Sequence, residues 1–273
     1  MDTAILSPAQ VVNAYGDAGA KKCQKNPMQV FLLAILAGAL IAFAGAATNT
    51  AAHTAGAVGA ARLICGLLFP FGLAMVILMG AELFTGNCLI AISVLQKKAT
   101  LSGMLKNWLI VYAGNFIGAV LVATLCAYCG QLDYTGGQLA VFTMKLAAGK
   151  CVLSFSSALF LGIACNVLVC LGVLCAMTAK DTTGKILGAF VPVVLFVLCG
   201  FEHSVANMFY VPAGIFAKSI PTYATLAAEA GLDLAGLTWG NFLLKNLLPV
   251  TLGNIIGGSG IGIFLYLGHR SHI

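Results

Sequence analysis

Three ionisable side chains stand where the surrounding sequence is almost wholly apolar: Glu82 in GAELFTGN (Gly80 to Asn87), and Glu202 with His203 in GFEHSVAN (Gly200 to Asn207). Such groups are costly at membrane depth and mark function there. His203 is the one histidine within an apolar stretch, since His53, His269 and His272 fall in loops or the tail. Imidazole can pass on a proton near neutral pH, which makes His203 the candidate for chemistry. The two glutamates read as structural, because a carboxylate at a break in a helix can take orphaned backbone amides.

The rest of the chain decides what surrounds these groups. Of 273 residues, 60% are hydrophobic and 8% are charged, against roughly a quarter charged in a soluble domain. Apolar runs cover residues 28–47, 62–95, 107–129, 152–177, 186–217 and 242–268, each long enough for the roughly 20 residues that a bilayer-spanning helix needs. The expectation is an all-α membrane protein of six spans in one domain, 28–268. A segment 1–27 precedes it, with a short amphipathic helix over 8–25 begun by Ser7 and Pro8, and a tail 269–273 follows. The first apolar stretch shows no cleavage site behind it and is expected to stay in the mature protein. With the N-terminus inside, Lys21, Lys22, Lys25, Lys97, Lys98, Lys106, Lys180, Lys185 and Arg270 lie inside and Arg62, Lys145, Lys150, Lys218 and Lys245 outside. That bias predicts both termini cytoplasmic. It also accounts for the formal charge of +6 without nucleic acid.

Ten cysteines lie almost entirely in apolar runs and read as reduced small hydrophobes; Cys126 and Cys129 have CxxC spacing but lack a second ligand pair, so no metal is expected. No HExxH, Ser/His/Asp set or metal cluster marks an intramembrane enzyme, and no cofactor is implied.

Two runs are too long. The 34 residues of 62–95 and the 32 of 186–217 would each extend roughly 50 Å as continuous helix. Breaks at the glycine- and Glu-bearing segments resolve this. The two breaks also match: Gly80, Glu82 and Asn87 recur as Gly200, Glu202 and Asn207 at an offset of 120, and Asn107, Gly114, Asn115 and Gly118 recur as Asn246, Gly253, Asn254 and Gly257 at an offset of 139. Two copies of three helices imply inverted repeats, with the second and fifth helices interrupted at the midplane.

Irregular backbone at membrane depth requires a polar cavity. Half-helices begin near Thr85 to Asn87 and near Ser204, and their positive N-terminal ends can receive an anion. A small anionic solute passing through the bilayer is therefore expected. Lys150, at the outer start of the fourth span, has two readings: a cation drawing anions to a vestibule, or a snorkelling lysine. Asn166 and Asn254 likewise read either as pathway groups or as helix glue. Phe69, Leu73, Leu83, Phe84, Val169 and Phe196 are ordinary apolar residues whose closeness to the breaks makes some of them candidate constrictions. GxxxG spacings at Gly114/Gly118, Gly253/Gly257 and Gly258/Gly262 permit close helix contact, within or between protomers.

Taken in order, AELFTGN, the GNFIG of the third span, Lys150 followed by Asn166, GFEHSVANMF and TLGNIIGG resemble the formate/nitrite transporter family over nearly the whole chain. The resemblance implies a homopentamer in the inner membrane, each aquaporin-like protomer with its own pore, and small monovalent anions (formate foremost, then nitrite, lactate or hydrosulfide) as substrates, with protons as partners. It makes Thr85 the polar residue of the first interruption and His203 the central histidine. Lys150 becomes the vestibule lysine, Asn166, Asn207 and Asn254 polar residues of the pathway, and Phe69, Leu73, Leu83, Phe84, Val169 and Phe196 apolar constrictions around the histidine. Asn87, Glu82 and Glu202 remain as residues that stabilise the breaks. A neutral-solute channel would also use broken helices, but has no evident need for Lys150 together with a central His.

Overall fold

The computed structural model describes residues 5–270; positions 1–4 and 271–273, including His272 and the end of the expected tail, lie outside the described residues. The first helix, α1 (Pro8–Gln24), begins as the sequence indicates: Ser7 accepts from Gln10 N and Gln10 reciprocates in a capping box. It packs on the protein, with Val11, Val12 and Tyr15 buried. After a turn at Asn26, whose side chain accepts from Met28 N, Pro27 opens α2 (Pro27–Ala52).

The second apolar run is divided into four helical pieces. α3 (Val58–Leu68) and α4 (Pro70–Leu78) are separated at Phe69, because Pro70 supplies no N–H to the preceding turn. Gly80, at φ +62°, then turns the chain, and helix resumes only as α5 (Phe84–Asn87) and α6 (Ile90–Leu95). Thr100 caps α7 (Leu101–Tyr128) through Gly103 N. The segment between the third and fourth apolar runs contains α8 (Gln138–Cys151), and Lys150 belongs to its last turn rather than to the start of the next helix. α9 (Phe155–Thr178) follows, capped by Ser154, and α10 (Thr182–Leu198), capped by Asp181.

Gly200, at φ +73°, repeats the turn of Gly80 before α11 (Ser204–Ser219). α12 (Pro221–Glu229) lies in what reads as a loop, and a last helix starts with α13 (Trp239–Asn241), passes through a π-type stretch at Phe242–Leu247 and continues as α14 (Leu248–Gly268). Among the described residues the structure is all helical. Five helices are long and apolar enough to cross a membrane: Pro27–Ala52, Val58–Leu78, Leu101–Tyr128, Phe155–Thr178 and Trp239–Gly268. The shorter apolar helices Phe84–Leu95 and Thr182–Leu198 flank the breaks.

The glycine spacings resolve as contacts within the chain. Gly114 and Gly118 admit the backbone of α2 at Phe31 and Ile35, while Gly253 and Gly257 admit α9 at Leu159 and Ile163. A side chain at any of the four would collide with a carbonyl, so these pairs set how closely the helices approach. All ten cysteines are free thiols.

Candidate functional site

The first break is held by a set of bonds that the second repeats atom for atom. Glu82 N donates to Leu33 O of α2, and Glu202 N to Leu161 O of α9. Asn115 accepts from Phe84 N and donates to Ala34 O and Glu82 O. Asn254 accepts from Ser204 N and donates to Gly162 O and Glu202 O. Each asparagine thus satisfies one N–H and one C=O that the interruption of the helix orphans and ties them to a carbonyl of a neighbouring unbroken helix, which is why non-helical chain survives in an apolar protein.

Because asparagines and carbonyls take the backbone, the glutamates are left for side chains. Glu82 accepts from Asn87 Nδ2 at 2.9 Å, which also reaches Asn107 Oδ1. Lys22 Nζ stands 2.6 Å and Lys25 Nζ 2.9 Å from its carboxylate oxygens. Glu202 accepts from Asn207 Nδ2 at 2.6 Å and pairs with Lys150 Nζ at 2.7 Å, and Asn246 bridges Asn207, Glu202 and Lys150 O. At both breaks the glutamate carboxylates bond lysines and side-chain amides rather than backbone N–H groups. The Lys150 side chain is 13% exposed and its cation is matched by Glu202.

The breaks meet at one bond. His203 Nε2 lies 2.9 Å from Thr85 Oγ1, both groups buried. His203 is also the N-cap of α11, its Nδ1 accepting from Ala206 N at 3.0 Å. A backbone N–H can only donate, so Nδ1 carries no proton, the hydrogen sits on Nε2 and the ring donates to the Thr85 hydroxyl. Thr85 O accepts from Asn166 Nδ2, which also bonds Asn254 O, so Asn166 ties the two breaks together.

Apolar groups close around this bond. Phe69, presented by the Pro70 kink, stands edge-on to Phe196 at 5.8 Å between ring centroids, and both rings contact His203, at 6.4 Å and 6.0 Å. Leu73 and Leu83, both buried, line a cavity of about 340 Å³ with Tyr15, Lys21, Lys22, Lys25 and Glu82. Val169 is buried in α9. Phe84 packs edge-on against Trp108 and Tyr112 of α7.

Several contributors are not evident from the sequence. Tyr15 of α1 donates to Gly86 O inside the first break at 2.9 Å, and Lys22 and Lys25 reach Glu82 from 60 and 57 positions away. Only the matched offset hinted at Asn107, Asn115 and Asn246.

Two broken helices thus have their starts joined across a buried histidine, with lysine paired to glutamate at each break, in a chain whose described residues hold five helices long and apolar enough to cross a membrane. A profile of the formate/nitrite transporter family matches residues 9–268, and the chain belongs to that family. The chain is 38% identical to a probable formate transporter of Methanothermobacter thermautotrophicus, covering 97% of each. It is 36% identical to the formate channel FocA of Haemophilus influenzae, with 97% of this chain and 95% of that protein covered. A solved pentameric formate channel with formate bound superposes with a TM-score of 0.80 at 35% identity, over 89% of this chain and 98% of that one. An FNT family ion channel follows at 0.79 and 26%, covering 96% and 98%.

Proposed function

We propose that this protein carries formate, and related small monovalent anions, through the bacterial-type inner membrane as a homopentamer with one pathway per protomer. The observation that carries the reading is the buried Thr85–His203 bond at the junction of two matched breaks. The similarity to proteins named as formate channels and to a pentameric one supports the substrate and the assembly. The two matched halves are inverted repeats of an aquaporin-like protomer of six spans, residues 28–268. Both termini are cytoplasmic, with 1–27 and 269–273 on that side.

In this reading Lys150–Glu202 stands at one mouth and Lys22 and Lys25 with Glu82 at the other. Phe69 and Phe196 form the constriction next to His203 on the Lys150 side. Leu73 and Leu83 form the one toward the α1 cavity, with Val169 in the same wall. Asn166, Asn207 and Asn254 hold the pathway's backbone in place.

A bare charge costs several kcal/mol at such a constriction, so passage is proton-coupled. Taking a proton at His203 Nδ1 breaks the Ala206 cap and gives an imidazolium. Its Nε2–H then passes through the Thr85 hydroxyl to the anion, which continues as a neutral acid. The ring is left protonated on Nδ1 and resets by tautomer exchange.

Uptake of formate, nitrite, lactate, hydrosulfide and glycerol into liposomes at two pH values tests this. Formate entry that quickens at lower pH fits the reading; glycerol flux without anion flux makes it a neutral-solute channel.

A further inference from the structure

The second break carries a cation with no partner. Among the described residues Arg62 of α3 forms no ion pair or hydrogen bond, whereas Lys22, Lys25 and Lys150 are all matched to glutamates. Its guanidinium lies over Gly200: a methyl in place of that glycine's hydrogen would sit 2.9 Å from Nη1 and 3.0 Å from both Cζ and Nη2. Near-equal distances to all three atoms mean that the guanidinium plane faces the glycine, so its N–H edge is directed away from the break. Gly200 leads into Glu202, which holds Lys150, and Lys150 Nζ stands 5.6 Å over the ring of Tyr210. Tyr210 in turn bonds Thr48 of α2. At this mouth two cations therefore face one carboxylate. Lys150 is committed to Glu202, which leaves the guanidinium edge as the unmatched charge.

We propose that Arg62 is the capture site for the anion at the Lys150 mouth, taking a planar carboxylate on its guanidinium edge before the anion meets Phe69 and Phe196. The inference rests on the anion-transport reading above. A guanidinium fork matches two coplanar oxygens, whereas an ammonium acts as a point charge. Arg62 thus favours carboxylates over compact anions such as hydrosulfide, and lowers the concentration at which transport half-saturates without changing the step at His203.

Initial uptake rates of formate and hydrosulfide across a concentration series, for wild type, Arg62→Gln and Arg62→Lys in liposomes, test it. Arg62→Gln should raise the half-saturating formate concentration by about fivefold, the upper scale of one exposed ion pair, with the maximal rate unchanged. Arg62→Lys should restore hydrosulfide half-saturation and leave formate weakened. An unchanged half-saturation in Arg62→Gln overturns the proposal, as does full recovery of formate by Arg62→Lys. Loss of the oligomer in Arg62→Gln, read by native mass spectrometry, also overturns it by assigning the guanidinium to a neighbouring subunit. Wild-type vesicles that carry neither anion sink the transport reading itself, whereas wild-type formate flux with an indifferent Arg62→Gln sinks this inference alone.

Discussion

His203 Nε2 and Thr85 Oγ1 stand 2.9 Å apart although 118 positions separate them in sequence, and both side chains are buried. Thr85→Val keeps the shape and removes the acceptor, stranding the Nε2–H at a cost of about 1–3 kcal/mol. Formate uptake should fall and its pH dependence flatten, while Thr85→Ser behaves like wild type. Wild-type uptake by Thr85→Val at both pH values would count against any role for this bond in transport.

Lys150 and Glu202 form a pair with side chains 13% and 8% exposed. Lys150→Ala leaves Glu202 buried without its cation and should cost about 3–5 kcal/mol. Adding Glu202→Gln removes the stranded charge, so thermal unfolding of the purified double variant should recover most of the loss. A double variant as unstable as Lys150→Ala alone contradicts this.

Asn254 accepts from Ser204 N and donates to Gly162 O and Glu202 O. Asn254→Ala orphans two buried backbone groups of the break, Ser204 N and Glu202 O, at about 1–3 kcal/mol each if water does not replace the amide. Markedly lower thermal stability is expected, with Asn115→Ala matching it because Asn115 does the same at the first break. A stable Asn254→Ala with normal uptake would mean that water replaces the amide.

The assembly is testable on its own. Native mass spectrometry of protein released from detergent should give five copies; a stable monomer or trimer argues against the pentamer.

Much of this architecture is legible in the sequence because the membrane restricts it. Runs of about 20 apolar residues can only be helices, and Gly80 and Gly200, both at positive φ, fall where two runs are too long to stay unbroken. The matched offsets point to paired halves because the same asparagine and glutamate are needed twice. What escapes is what depends on distant pairing. Nothing local says that Lys22 and Lys25 will reach Glu82, or that Tyr15 will bond Gly86 O. The α8 helix is hidden because its apolar and polar residues alternate too weakly to stand out beside true spans, which misplaces Lys150 at the start of α9. Nor does the local sequence say that Phe84, beside Thr85, will pack edge-on against Trp108 and Tyr112 of α7.

Proton-coupled passage at His203 is the central claim, and formate uptake into liposomes by His203→Asn, measured across pH beside wild type, tests it most directly. Asparagine is a strong N-cap, so it can replace the Nδ1 acceptor for Ala206 N while removing the ring nitrogen that faces Thr85. Wild-type uptake should accelerate as pH falls, and the His203→Asn variant, folded and pentameric, should lose that acceleration. A variant that keeps both the wild-type rate and the wild-type pH profile would show that the proton does not come from His203 and would leave the histidine only its place as the cap of α11.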